Sequence, residues 1–172
     1  MSDNQEKIKK KLSFREDWPV IPYITCILLA LIASILDFIL IQQYLFQLIG
    51  IIIAVIIAIG AIIFRLYPRW ALLKHGFPSL MSTARLQIVE NHTLIKTGLY
   101  KRIHHPLYLG EIMRAFILPS LFWSLYGALL GVGAVIFLLF RIQIEEKMLL
   151  EEFGEEYEEY RRSTKKLIPY VY

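Results

Sequence analysis

Two stretches of this chain, residues 20–41 and 44–66, each run for more than twenty residues with a single formally charged side chain, Asp37 in the first and Arg65 in the second. At 1.5 Å per helical residue, about twenty residues cross a hydrocarbon core of roughly 30 Å. Both stretches therefore predict membrane-spanning helices. Gln42 and Gln43 supply the polar turn between them, and a linker this short predicts antiparallel, neighbouring helices.

A third apolar region covers residues 106–140. As one helix it would be roughly 50 Å long, well beyond the core thickness. Pro119, Ser120, Trp123, Ser124 and Gly127 cluster near its middle, where a chain reverses. The region predicts a hairpin of two shorter helices, the first only about 15 residues long, tilted or stopping short of a full crossing. The expected fold is an all-α integral membrane protein of about four transmembrane segments, two spans plus a helical hairpin. It forms one domain: a polar segment at 1–19, spans within 20–66, a polar loop at 67–105, the hairpin at 106–140 and helices in 141–172.

Charge placement sets the orientation. The net charge is +4 and 56% of residues are hydrophobic, against about 45–50% in soluble domains. The basic residues gather before Val20, between Arg65 and His105, and from Arg141 onward, while the turns around Gln42 and Trp123 carry none. Basic segments beside apolar spans fit anionic lipid headgroups, so the bilayer and not nucleic acid is the expected partner. The positive-inside rule puts both termini and the long loop in the cytoplasm, making a multi-pass protein. Lys7, Lys9, Lys10 and Lys11 are followed by the polar stretch 13–19 before any apolar run, and that run is too long for a signal sequence. The first span is expected to be retained. Cys26 is the single cysteine and forms no internal disulfide.

Three charges fall inside apolar runs. Asp37 lies near the outer end of the first span, where it snorkels or takes a local partner. Glu111 and Arg114, spaced i,i+3 near the inner end of the third, can pair on one face. They read equally as a structural ion pair and as groups lining a site.

The chemistry should sit on the basic side. The loop holds His75, His92, His104 and His105, with Tyr100 and Tyr108 at its far end. No metal is expected, because the histidines lack an H-E-x-x-H pattern or paired cysteines. No G-x-S-x-G elbow, G-x-G-x-x-G turn or P-loop occurs. Arg141 and Glu145, four apart where the last span leaves the membrane, share one helical face. An arginine there can hold a carboxylate or phosphate through two parallel hydrogen bonds. A carboxylate there can accept from ribose hydroxyls or face a sulfonium. Plainer readings stand beside these. His92 can brace the loop, and His105-Pro106 can be a helix-start turn. Tyr100 and Tyr108 can be belt aromatics, and Arg141 a basic flank. Glu151 to Glu159 read as a solvated helix face opposite Met148, Leu149, Phe153, Tyr157 and Tyr160, with Gly154 as a stop or kink.

Two blocks of residues resemble a known family. The first is His92-Thr93-Leu94-Ile95-Lys96-Thr97-Gly98-Leu99-Tyr100 with His105-Pro106-Leu107-Tyr108-Leu109-Gly110. The second is Arg141-Ile142-Gln143-Ile144-Glu145-Glu146 with Leu149, Phe153-Gly154, Tyr157, Tyr160 and Ile168-Pro169. Together they resemble the isoprenylcysteine carboxyl methyltransferases, relatives of the membrane phospholipid methyltransferases.

The resemblance implies a helical membrane enzyme that uses S-adenosyl-L-methionine under a cytosolic lid, beside a tunnel open to the bilayer. It implies that His92, Thr93, Leu94, Ile95, Tyr100, His105, Pro106, Tyr108 and Glu145 bind the cofactor. Arg141 and Glu145 would be the catalytic pair, with Arg141 orienting the acceptor. The implied acceptor is a lipophilic small molecule or lipidated substrate, first of all the carboxylate of an isoprenylcysteine-like thioether. The family commonly has Arg before the His-Pro pair, where this chain has His104. In-line methyl transfer depends on alignment and exclusion of water. A carboxylate acceptor needs no base, whereas an amine would need Glu146 or a histidine. Three alternatives are a phospholipid amine N-methyltransferase, an NADPH-dependent sterol-reductase-like enzyme and a non-enzymatic membrane scaffold.

Overall fold

The computed structural model describes residues 8–11, 16–41, 44–74, 87–89 and 94–168. Among the described residues six α-helices carry the fold: α1 (Val20–Ile41), α2 (Tyr44–Lys74), α3 (Pro106–Ala115), α4 (Ile117–Leu121), α5 (Leu125–Phe153) and α6 (Glu155–Ser163). A 3-10 turn at Gly98–Lys101 precedes α3. One short antiparallel pair joins β1 (Ile8–Lys11) to β2 (Gln87–Val89), outside the helical bundle.

Three helices, α1, α2 and α5, are long and apolar enough to cross a membrane. Their outward faces carry exposed Ile24, Leu28, Ile32, Ile52, Ile56, Ile59, Leu129 and Ile136. A continuous apolar surface of this kind is at home against lipid tails. The protein is an all-helical, multi-pass membrane protein in this sense.

The third apolar region forms the expected hairpin. Its first arm is α3 and α4, broken at Phe116. Its reversal comes at Phe122–Ser124, where Trp123 adopts a positive φ of 50°. Ser124 caps α5: its Oγ accepts from the Gly127 backbone N–H at 2.9 Å, satisfying one free donor of the first turn. Pro106 occupies the first position of α3, where its missing N–H costs nothing. The helix-start role foreseen for His105-Pro106 is therefore observed.

Two boundaries move. α2 continues to Lys74, past residue 66, and Pro68 lies within it. The charge of Arg65 ends the apolar run but not the helix, since Leu66, Trp70, Ala71 and Leu72 remain good helix residues. α5 continues without a break from the apolar segment to Phe153, and Gly154 (φ 53°) then turns the chain into α6.

The first two helices are not packed along each other as the short linker predicts. Among the described residues α1 lies along α5, while α2 lies along α3 and α4. The linker fixes only where their ends meet. The side-chain surfaces decide the rest, and each helix takes a different arm of the hairpin. Close backbone approach makes both contacts possible. A Cβ on Gly110 of α3 would sit 3.1 Å from the Arg65 backbone N and 3.2 Å from the Ala61 carbonyl oxygen. Gly127 of α5 faces Ser34 and the Ala30 carbonyl of α1 in the same way. Small residues serve this purpose generally in membrane bundles.

Polar contacts tie the two ends of the bundle. At one end Asp37 accepts a hydrogen bond from Ser124 Oγ at 2.6 Å, so it has found its partner on the hairpin turn. At the other, Glu111 draws in three helices. It accepts from Tyr23 of α1 (2.8 Å) and Arg114 of α3 (2.6 and 2.9 Å), and it pairs with Arg65 of α2. The Glu111–Arg114 pair is thus part of a clasp between helices. Tyr23, Tyr108, Ala134, Leu138, Ile142 and Leu167 form the core beside it.

Candidate active site

The polar end of the bundle gathers the hairpin start, the end of α5 and the C-terminal segment. Residues 102–105 and 164–166 run side by side: His104 N–H donates to Lys165 O (2.9 Å), His105 N–H to Lys166 O (3.1 Å) and Lys165 N–H to Arg102 O (3.0 Å). Tyr160 of α6 closes the same corner, its hydroxyl donating to Tyr100 O at 2.7 Å. These contacts hold His104, His105 and Tyr100 against the face of α5 that carries Glu146.

Glu146 is the hub. His105 Nε2 lies 3.3 Å from its Oε1, and Lys166 Nζ is 3.1 Å from each of its oxygens. His104 Nε2 lies 3.4 Å from Oε1, an ion-pair contact if the ring is protonated. The side chains of His104, His105 and Glu146 are only 3%, 3% and 10% exposed. Burial holds His104 below the usual histidine pKa, a shift the Glu146 carboxylate partly opposes. Burial raises the Tyr100 and Tyr157 hydroxyls, and the charge of Glu145 adds to both. These hydroxyls stay protonated at any ordinary pH and can act as donors.

Glu145 and Arg141 lie one turn apart on α5. Glu145 Oε2 is buried and has no hydrogen-bond partner among the described residues. A buried carboxylate oxygen without a donor is costly, and it is what a site for a donor-bearing ligand contains. Arg141 differs from its expected state. Its Nε and Nη2 donate to Asp17 at 3.0 and 2.9 Å, a bidentate pair with both side chains buried. Asp17, just ahead of α1, had no motif to mark it. The only sequence signal was an acid next to the first span.

Of the residues singled out in the sequence, Ile95, Tyr100, His105, Pro106, Tyr108 and Arg141 are buried, and Leu94 and Glu145 are half-buried. His75, His92 and Thr93 lie outside the described residues. An apolar cleft of about 150 Å³, lined by Ile27, Leu31, Arg114, Ile117, Leu118 and Pro119, opens elsewhere, between α1 and the first hairpin arm.

Comparison with known proteins adds the family. The family model of the isoprenylcysteine carboxyl methyltransferases matches residues 54–151, more than half of the chain. The chain belongs to the isoprenylcysteine carboxyl methyltransferase family. Over 108 residues (56% of this chain, 40% of the relative) it is 32% identical to the protein-S-isoprenylcysteine O-methyltransferase of Saccharomyces cerevisiae. Over 71 residues (41% of this chain, 26% of the relative) it is 34% identical to the methanethiol S-methyltransferase of Pseudomonas deceptionensis. A third similar protein is the protein-S-isoprenylcysteine O-methyltransferase of Schizosaccharomyces pombe, 32% identical over 84 residues (48% and 35%). The chain spans about a quarter to two-fifths of the length of these relatives. Within the family frame, residues 54–151 take in α2 from Ala54 onward, the hairpin and Arg141, Glu145 and Glu146, whereas Asp17 and Lys166 lie outside it.

Proposed function

We propose that this protein is an S-adenosylmethionine-dependent methyltransferase acting on a lipophilic acceptor at the membrane surface. The observation that carries this reading is the buried Glu145 Oε2, which has no hydrogen-bond partner among the described residues and lies near Tyr100 and Tyr108, in a chain of this family. The cofactor supplies an electrophilic methyl group on a sulfonium. Glu145 accepts hydrogen bonds from the cofactor's hydroxyl or ammonium donors. Tyr100, held by Tyr160, and Ile95 and Pro106, packed against the bundle, keep the wall fixed and dry. Leu94, His92 and Thr93 complete the cofactor side, as the family resemblance implies. Alignment in a water-poor site is the main source of acceleration for such a displacement.

The acceptor is a lipophilic carboxylate or thiol. A carboxylate held by Arg141 must share or replace the Asp17 carboxylate, which already occupies two donors of the guanidinium. A thiol asks for no such exchange, and this favours the thiol reading. One relative is itself named a methanethiol S-methyltransferase. A thiol must lose its proton as sulfur attacks the methyl carbon, so this reading calls for a base within reach of the sulfur. By the positive-inside rule, the basic residues at the site's end of the bundle support a cytoplasmic side for that end and for both termini.

Detergent-purified protein incubated with methyl-tritiated S-adenosylmethionine tests the reading. Label should appear in an alkyl thiol or in a farnesylcysteine analogue, with Asp17→Asn shifting preference toward the carboxylate. Transfer to neither acceptor nor to phospholipid amines by folded protein would overturn it.

A further inference from the structure

The hydrogen-bond chain around His104 fixes its tautomer. The Thr164 hydroxyl donates to the Tyr160 carbonyl at 2.8 Å, so its oxygen must accept from His104 Nδ1, which lies 3.0 Å away. In the neutral ring the proton is then on Nδ1, and Nε2 carries a bare lone pair. That lone pair faces a carboxylate oxygen, Glu146 Oε1, at 3.4 Å and has no hydrogen-bond partner among the described residues. Two acceptors pointed at each other in a buried place repel, unless a proton or a metal ion lies between them.

We propose that His104 Nε2, His105 Nε2 and Glu146 Oε1 form a binding site for a divalent metal ion of the zinc class. The three donors lie within 4.8 Å of one another. Zinc bonds of about 2.0–2.2 Å at tetrahedral angles set neighbouring ligand atoms about 3.3–3.6 Å apart. The two histidine-to-carboxylate distances are 3.3 and 3.4 Å. Two imidazoles and one carboxylate form an ordinary zinc set with a fourth position left for an outside ligand. Thr164 acts as the outer-shell partner that orients a metal-binding histidine by accepting from its other nitrogen.

Lys166 is the competing cation, 3.1 Å from both Glu146 oxygens. With the metal on Oε1, the ammonium stays on Oε2. The site also gives a reason for the departure at position 104. Where the family commonly has an arginine, whose charge is fixed, this chain has a histidine, whose ring nitrogen can bind a metal. The inference stands on this geometry and does not depend on the methyl-transfer reading.

Tag-free protein, stripped with chelator at pH 7.5 and titrated with Co²⁺, tests it. The wild type should bind one Co²⁺ per chain with the strong visible absorption of tetrahedral coordination, and zinc should displace it. His104→Arg keeps a cation opposite Glu146, so it should fold, and its Co²⁺ affinity should fall at least about tenfold. Lys166→Met, which removes the competitor, should bind more tightly than wild type. Circular dichroism confirms helicity in each. Absence of the visible band in folded wild type, or equal binding by His104→Arg, would overturn the site. In the first case His104 and Lys166 neutralise Glu146 by themselves.

Discussion

At the scale of single residues, the Asp17–Arg141 pair sets the strongest expectation. Asp17 is fully buried and Arg141 nearly so, with two charge-assisted bonds between them. Removing one partner of a buried pair leaves the other charge desolvated, at a cost of about 3 kcal/mol or more. Asp17→Ala should therefore lower the denaturant midpoint in detergent, and Arg141→Ala should do the same. The double variant with an apolar pair, Asp17→Leu with Arg141→Met, should recover most of the loss. A milder change is Tyr160→Phe, which removes the bond to the Tyr100 carbonyl. It should cost about 1 kcal/mol in the same measurement.

Secondary-structure elements were the most legible layer of the sequence. The apolar runs announced α1, α2 and α5, and the Pro119–Gly127 cluster announced the hairpin reversal that the chain makes at Phe122–Ser124. Helix packing was not legible. A two-residue linker suggested that α1 and α2 pack together, but a run of isoleucines looks the same whether it faces lipid or a neighbour. The deciding signals are single small residues such as Gly110 and Gly127, which carry no periodicity of their own. Gly110 is where this can be tested. A methyl group there would come within 3.1–3.2 Å of the α2 backbone, so Gly110→Val must push α3 away from α2. Overpacking of this kind costs about 1–3 kcal/mol. The expected outcome is a lower unfolding midpoint for Gly110→Val, with Gly133→Val, where an added Cβ meets Cys26 Sγ at an ordinary 3.5 Å, far closer to wild type.

Across the whole molecule, the site is built from parts distant in sequence. His105 and Glu146 are 41 residues apart, and Asp17 and Arg141 are 124 apart. The two sequence blocks pointed to His105, Tyr108, Arg141 and Glu145, but spacing rules could not show that His104, His105 and Lys166 converge on Glu146. Local metal patterns test neighbours along one helix, and this cluster joins three elements. Orientation belongs to the same scale. In a Cys26→Ser background, Tyr126→Cys near the hairpin turn and Arg162→Cys in α6 place exposed thiols at opposite ends. A membrane-impermeant maleimide added to intact cells should label the first and spare the second. The reverse pattern would turn the protein over in the bilayer.

The central claim is that Glu145 helps to hold a methyl donor at the polar end of the bundle. The most direct measurement is calorimetric titration of S-adenosylmethionine into detergent-purified protein, wild type beside Glu145→Ala. Losing hydrogen bonds to a charged group costs about 1.5–3 kcal/mol, so the variant should bind roughly 10–100-fold more weakly than a one-site wild type. No binding by well-folded wild type, or equal affinity in the two proteins, would contradict the account.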